Sequence, residues 1–207
     1  MGRARDIANV LSSSTNIALD SELGLSLITP TSITATGGSA TIFSSGGVSF
    51  SSASAISLNG VFSSTYENYR LVFNTSNFSA SDALTFRLRA SGSDYSSTNY
   101  SISGTRNYSN TATISALNAS GQTSIAMGST NSGAGDRCGI TVDIFKPFTN
   151  YTNKVMNISV AGQDSSGFYN RNQVGLVDGG TYIFDGFSFI IASGNMTGTL
   201  RVYGYRN

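Results

Sequence analysis

The sequence contains no histidine, no tryptophan, two prolines and one cysteine among its 207 residues. Without histidine, a Ser-His-Asp triad and a Cys-His pair are impossible. Cys138 alone cannot form a disulfide within the chain, and cysteine–histidine metal clusters are excluded. Because Cys138 begins an apolar segment, we expect it to be a buried small residue rather than a nucleophile, although Arg137 precedes it. We therefore predict no cofactor and no metal site.

Charge is also scarce. Only 11% of the residues are charged, with 12 basic against 11 acidic and a formal net charge of +1, whereas average soluble domains are about 25% charged. Nucleic-acid binding needs a basic face that neutralises phosphates, so we predict no nucleic-acid partner. No apolar run approaches the ~18 residues of a membrane-spanning helix, so we predict no membrane insertion. Polarity comes instead from Ser, Thr, Asn and 23 glycines.

From residue 40 onward, short alternating segments are separated by turn residues. In ALTFRLRA (83–90), apolar and polar residues alternate strictly, which is typical of a strand buried on one face. Many such segments with turn signals between them predict an all-β fold, namely an antiparallel jelly-roll-like β-sandwich over residues 40–207. The expected core includes Leu84, Phe86, Leu88, Phe187, Phe189 and Val202.

Residues 1–39 have a different pattern and are predicted to precede the sandwich as an extended N-terminal arm. In RARDIANVL (3–11), Ile7, Val10 and Leu11 are spaced as on one face of a short helix. Such a helix is marginal alone and needs a surface to lie on. Residues 12–39, rich in Ser, Thr and Gly, predict a connector with a short strand near Leu25–Ile28.

Carboxylate pairs are the one catalytic arrangement that the composition leaves open. Asp136 with Asp143, and Asp178 with Asp185, are candidates for glycoside hydrolysis, which needs two acids roughly 5–10 Å apart. Asp136 and Asp178 lie in glycine-rich turns, where aspartate is favoured because it hydrogen-bonds the local backbone. We therefore favour a structural role, and predict no catalytic residues and no enzymatic activity.

Two polar segments, 92–100 and 162–175, contain aromatic side chains and are predicted to be loops at one end of the sandwich. Rings flanked by neutral hydrogen-bonding groups suit the binding of a glycan, and similar surfaces suit protein recognition. For any single ring, packing beneath its own loop is at least as good an explanation. The candidate receptor contacts are Tyr95, Tyr100, Phe168, Tyr169 and Arg171.

Several stretches resemble tail-fibre-like virion proteins of cyanophages and other marine tailed phages. RARDIANVLSSS (3–14) resembles the opening of those fibres, and SLNGVFSSTYENYRLVF (57–73) and FDGFSFIIASGNMTGTLRVYGYRN (184–207) resemble their C-terminal β domain. The resemblance implies a homotrimeric virion protein whose N-terminal segment docks on other virion proteins, either a tail hub or adaptor or the capsid. The docking residues would be Arg3, Arg5, Ile7, Val10 and Leu11.

The resemblance favours a short tail fibre or appendage that presents its sandwich to a host-surface glycan. The alternative is a capsid decoration or cement protein that binds no receptor, since the fold alone does not decide between them. A glycan-degrading enzyme is disfavoured by the absence of histidine and of the repeated coils that β-helical spike enzymes show.

Overall fold

The computed structural model describes residues 24–130 and 133–206, without the side chains of residues 133–136. The predicted helix over residues 3–11 and the five predicted docking residues lie outside the described residues. The described part of the chain forms two antiparallel sheets and contains no helix. This confirms an all-β sandwich; the jelly-roll-like connectivity stays a prediction.

The large sheet has ten strands in the order β10-β9-β14-β13-β12-β6-β16-β4-β3, and β1 also pairs with β16. Hairpins join some neighbours, such as β9 with β10 and β12 with β13, whereas other pairs, such as β6 with β16, join strands distant in sequence. The strands are β1 (Leu25–Ile28), β3 (Ser39–Ile42), β4 (Val48–Ala53), β6 (Asn68–Phe78), β9 (Tyr100–Tyr108), β10 (Ile114–Gln122), β12 (Gly133–Phe145), β13 (Asn153–Asp164), β14 (Gly167–Asp178) and β16 (Met196–Tyr205).

The small sheet has six strands in the order β11-β7-β15-β5-β2, with β8 paired to β7. The strands are β2 (Ser32–Thr36), β5 (Ala55–Asn59), β7 (Ala83–Ala90), β8 (Ser93–Asp94), β11 (Ile125–Ser129) and β15 (Gly186–Ile191). The predicted strand Leu25–Ile28 is confirmed. Because β1 and β2 already pair within the sheets, the predicted boundary at residue 40 falls inside the paired region, within β3.

The core lies between the two sheets and is rich in phenylalanine. The rings of Phe73 and Phe189, from opposite sheets, stack with centroids 4.2 Å apart, and Phe86 packs edge-on against Phe189 at 5.3 Å. All six residues predicted for the core are buried. Cys138 is buried as predicted, and burial raises the pKa of its thiol to about 12. A thiol that stays protonated is a poor nucleophile.

One lysine lies among these buried residues. Lys154 occupies an inward position of β13 and is fully buried. Its Nζ donates a hydrogen bond to the backbone oxygen of Thr149 at 2.7 Å and another to that of Tyr151. Burial lowers the pKa of Lys154. The ammonium group therefore satisfies carbonyls of the loop between β12 and β13, which no strand pairs.

The large sheet is wider than the small one. Beyond Tyr100, β9 has no buried residue, and β10 has none at all. We call β9 and β10 the wing. Its inward positions are half-buried, because the small sheet ends at β11 and leaves them partly open to solvent.

Among the described residues no helix has the length and apolarity that crossing a membrane requires.

Replacing Phe86 by alanine should lower the free energy of unfolding by about 3–5 kcal/mol, since the fully buried ring leaves a cavity between the sheets. Urea denaturation followed by circular dichroism measures the change. Ile114→Ala, on the exposed edge strand β10, is the control and should change stability by no more than about 0.5 kcal/mol. A Phe86→Ala loss as small as that of the control would contradict the packing described here.

Candidate ligand-binding face

The outward positions of the large sheet form a broad face of small, mostly neutral polar side chains, which we call the outer polar face. Because antiparallel neighbours face each other across the ladder, the pairing register arranges these side chains in rows. The central row is Asn118, Ser103, Val174, Asn157, Asp143, Arg70 and Tyr203. The next is Ala116, Thr105, Asn172, Ser159, Thr141, Val72 and Arg201.

The described residues of this face line several open hollows, including these three. The first, of about 400 Å³, is lined by Asp143, Asn157 and Asn172 among others. The second, of about 490 Å³, and the third, of about 360 Å³, share Arg137 and Gly139 in their walls. Small residues such as Ser103, Gly104 and Thr141 line the first hollow and leave space between the longer side chains of the face. The face can therefore accommodate an elongated ligand lying across several strands.

A charged cluster lies beside the first hollow. Arg70 and Asp143 are directly opposite each other on β6 and β12, and their side chains form a bidentate pair: Nε to Oδ1 and Nη2 to Oδ2 are each 2.8 Å. The Tyr205 hydroxyl donates to Asp143 Oδ1 at 2.6 Å, and its ring centroid lies 5.6 Å from the Arg70 guanidinium carbon. Bidentate geometry fixes the orientation of the carboxylate.

Within this cluster, Arg70 and Asp143 are ionised at neutral pH, whereas Tyr205 keeps its proton. Hydrogen bonding from Arg70, aided by Tyr205, lowers the pKa of Asp143. The hydrogen bond to Asp143 in turn raises the pKa of Arg70. Burial and the bond to Asp143 raise the pKa of Tyr205 to about 12. An ionised carboxylate held by an arginine accepts hydrogen bonds from ligand hydroxyls but is unsuited to donate a proton as a general acid. The side chain of Asp136, its suggested catalytic partner, lies outside the described residues.

The receptor contacts predicted from the sequence are mostly buried. The Tyr100 hydroxyl donates to the backbone oxygen of Tyr95 at 2.7 Å, and the Tyr95 hydroxyl donates to that of Asp178 at 3.2 Å. Tyr169 donates to the backbone oxygen of Ser129 at 2.8 Å, and Arg171 is 5% exposed. These four side chains serve the interior, so they offer a receptor little surface.

Phe168 differs from the other four. It is 65% exposed, on the outward side of β14, and lines the third hollow beside Arg137 and Ala161. An exposed ring in the wall of an open hollow can stack on the apolar face of a ligand. Of the predicted contacts, Phe168 is therefore the one that the structure places on the outer polar face.

The expected arrangement of the two aromatic segments is wrong. Residues 162–175 are not a loop but the end of β13, the hairpin turn and most of β14, and the ladder between these strands runs through to the pair Asp164 and Gly167. Along β9, Tyr100 pairs with Val177 and Tyr108 with Tyr169. At about 3.3 Å per residue, the two ends of that ladder are about 26 Å apart. Segment 92–100 and the hairpin turn therefore lie at opposite ends of the sheet.

The sequence pattern did not point to Arg70, Asn157, Asn172 or Tyr205, and it suggested Asp143 only as a catalytic residue. A signal was available: at the outward positions of period-two strands, where lysine or glutamate is common, this chain has asparagine, serine and threonine.

Among the described residues no group of three His, Cys, Asp or Glu could hold a metal ion.

Comparison with known proteins assigns no family to this chain. No family model matches the sequence, and no curated protein matches it. Among solved structures, the chain is similar to galectin LEC-6 of Caenorhabditis elegans, with 11% identity and a TM-score of 0.28 over 72% of this chain and 88% of that one.

Two further similar structures come from other kinds of protein. One is the CBM2 module of the evolved Dit of Lactobacillus casei BL23 phage J-1, with 9% identity and a TM-score of 0.30 over 89% of this chain and 91% of that one. The other is alginate lyase Aly36B, with 11% identity and a TM-score of 0.25 over 86% and 96%.

Replacing Asp143 by asparagine should cost about 1 kcal/mol of stability at pH 7, because the ion pair is partly exposed and screened. The pKa of Asp143 is lowered in the folded state, so its contribution is present above about pH 4 and is lost as the pH falls through the folded-state pKa. As the pH falls below about 5, the free energy of unfolding measured in urea should therefore decrease less for Asp143→Asn than for wild type.

The matched control is Glu67→Gln. Glu67 pairs with Lys146 at 3.6 Å, with both side chains about half exposed. Its removal should change stability by no more than a few tenths of a kcal/mol. If wild type and Asp143→Asn lost the same amount of stability on acidification, the cluster would add no pH-dependent stability.

Proposed function

We propose that this chain is a non-enzymatic structural protein of a tailed-phage virion, a short tail fibre or appendage, and that its sandwich binds a host-surface glycan through the outer polar face. The observation that carries the binding part is the hollow bounded by Asp143, Asn157 and Asn172, with the Asp143 carboxylate held by Arg70. The resemblance of residues 3–14 and of the C-terminal segments to phage fibre proteins supports the virion part.

The chemistry of the face supports a carbohydrate ligand. A sugar offers hydroxyls that both donate and accept, and it needs partners of both kinds. Asp143 accepts, while the Asn157 and Asn172 amides donate and accept. Neighbouring strands are about 4.8 Å apart, so one sugar ring reaches side chains of two strands. Neutral partners also keep binding insensitive to salt, because only charged contacts are screened.

The lowered pKa of Asp143 supports binding without catalysis. Hydrolysis of a glycosidic bond requires a proton donor, whose pKa is usually raised. The pKa of Asp143, the acid at the first hollow, is lowered instead. We therefore propose that the face retains glycan without cleaving it.

We further propose that the protein is a homotrimer. A row of apolar side chains, Leu176, Val155 and Phe145, crosses the end of the outer polar face through direct cross-strand pairs. Val155 and Phe145 are 37% and 38% exposed. Covering this row in an assembly would remove apolar surface from water, which favours association.

The double substitution Asn157→Ala/Asn172→Ala should weaken glycan binding at least tenfold, since loss of two hydrogen-bonding side chains costs on the order of 1 kcal/mol each. A glycan array identifies a ligand, and calorimetry with that oligosaccharide measures the affinity. The control is Thr34→Ala/Thr36→Ala, which removes exposed polar side chains from the small sheet. If wild type binds no glycan, or both double variants bind equally, the receptor role fails and the capsid decoration role replaces it.

Deleting residues 1–14 should leave a folded β protein that no longer assembles onto phage particles. Burying Ile7, Val10 and Leu11 on a partner would contribute about 1.5–3 kcal/mol each, and Arg3 and Arg5 could add charge-assisted hydrogen bonds. Purified particles from a phage that carries the truncated gene would be probed for the protein, with the substitution Thr34→Ala/Thr36→Ala as the assembling control. A truncated chain that still assembles would contradict the docking role.

Two measurements on the full chain complete this test. Immunogold electron microscopy shows whether the protein lies on the tail, as expected for a fibre, or on the head, as expected for a decoration protein. Light scattering at micromolar concentration should give the mass of three chains. A stable monomer of the full chain would contradict the trimer.

A further inference from the structure

Two arginines lie directly opposite each other on the inner side of the large sheet. Arg171 of β14 pairs with Arg106 of β9 in the ladder, on the same side as the buried Tyr169 and Gln173. Arg171 is 5% exposed, and Arg106 is half-buried. Like charges directly opposite each other in an antiparallel pair destabilise it. The placement of two guanidinium groups here requires an explanation.

No carboxylate neutralises this pair among the described residues. Arg171 Nε donates to Gln173 Oε1 at 2.5 Å, which is a neutral partner, and Arg106 Nε is buried with no hydrogen-bond acceptor. Asp164, an acid near the same end of the sheet, accepts hydrogen bonds from the Tyr108 hydroxyl at 2.6 Å and from the Ser166 amide at 2.8 Å. A buried cation without a counterion is costly, so the pair is electrostatically incomplete.

The surroundings hold both side chains in place. The Gln173 amide donates to the backbone oxygen of Ala126 at 2.9 Å and thereby fixes the oxygen that Arg171 uses. The Arg106 guanidinium carbon lies 4.8 Å from the ring centroid of Tyr108, a cation–π contact. Burial, with a contribution from Arg106, lowers the pKa of Arg171 to about 10, so Arg171 remains cationic at neutral pH. Two fixed guanidinium forks present donors suited to an oxyanion.

We propose that Arg106 and Arg171 form a binding site for an oxyanion, a carboxylate or sulfate group, on the inner side of β9 and β14 where the small sheet ends. The wing leaves this side of β9 and β10 partly open, which gives a ligand access. The outer polar face lies on the opposite side of the same strands, so this site is separate and does not rest on the proposed function. A carboxylate would come from an acidic sugar, whereas sulfate can be either a free ion or a glycan substituent.

The test follows the arginine Nε–Hε resonances by ¹⁵N NMR in the full-length protein. Sodium sulfate, sodium glucuronate and neutral glucose are added separately at constant ionic strength set with chloride. We expect saturable shifts of the Arg106 and Arg171 resonances with sulfate or glucuronate but not with glucose. Arg201, on the outer polar face, is the internal reference and should not shift in a saturable way.

The variant Arg106→Gln should bind the anion at least tenfold more weakly. Its melting temperature without sulfate should equal or exceed that of wild type, because removing one cation relieves the repulsion. Sulfate should raise the melting temperature of wild type and of the control Arg201→Gln by more than that of Arg106→Gln, whose increase measures only the general exclusion of sulfate from protein surfaces. If Arg106→Gln does not fold, Arg106→Lys keeps the charge without the fork and should still weaken binding.

Three results would overturn the site. These are no saturable shift in wild type, shifts of Arg201 equal to those of Arg106, or an Arg106→Gln protein that is destabilised and gains as much melting temperature from sulfate as wild type does. A response to glucuronate identifies an acidic sugar as the ligand class, and a response to sulfate alone identifies a sulfate group. Failure here would leave binding at the outer polar face unaffected, just as failure of the glycan array would leave this site unaffected.

Discussion

The register of the antiparallel ladders is the constraint on which this structure depends. Successive side chains of a strand point to opposite faces, so a slip of one residue would exchange the core set for the solvent set. The aromatic core makes such a slip costly. Phe73 and Phe189 stack across the two sheets, and Phe187 and Phe189 pack against Phe86. With those rings in place, the same register carries Asp143, Asn157 and Asn172 to the outside in adjacent rows.

The unequal width of the two sheets produces the second main feature. A strand covered by the small sheet must be apolar on its inner side, whereas the wing is released from that requirement. Inner positions near the end of the small sheet can therefore hold tyrosine, glutamine and arginine. Tyr169 reaches Ser129 across this boundary because residue 128 is glycine: a Cβ there would lie 2.3 Å from the Tyr169 hydroxyl. The boundary between covered and uncovered strands is where the polar interior begins.

A low charge content gives the few charged groups distinct roles. Arg70 and Asp143 orient each other, and Arg89 joins Asp94 to Ser188 on the small sheet. Lys154 binds loop carbonyls, while Arg106 and Arg171 lack an acidic partner in the described structure. Most other side chains of the outer polar face are neutral, and their hydrogen bonds do not weaken with salt. Such a surface is suited to recognising neutral, hydroxyl-rich ligands by shape and hydrogen bonding.

The sequence by itself determined that the fold is an all-β sandwich, which residues fill its core and that Cys138 is buried, because the period-two pattern states which side of a strand is apolar. It did not determine which strands are neighbours. Arg70 and Asp143 are 73 residues apart, and Tyr205 lies a further 62 beyond Asp143, so only the tertiary structure brought them together. It also decided that Tyr95, Tyr100, Tyr169 and Arg171 are buried while Phe168 is exposed. A polar local sequence does not reveal whether another sheet covers it, since that depends on contacts distant along the chain.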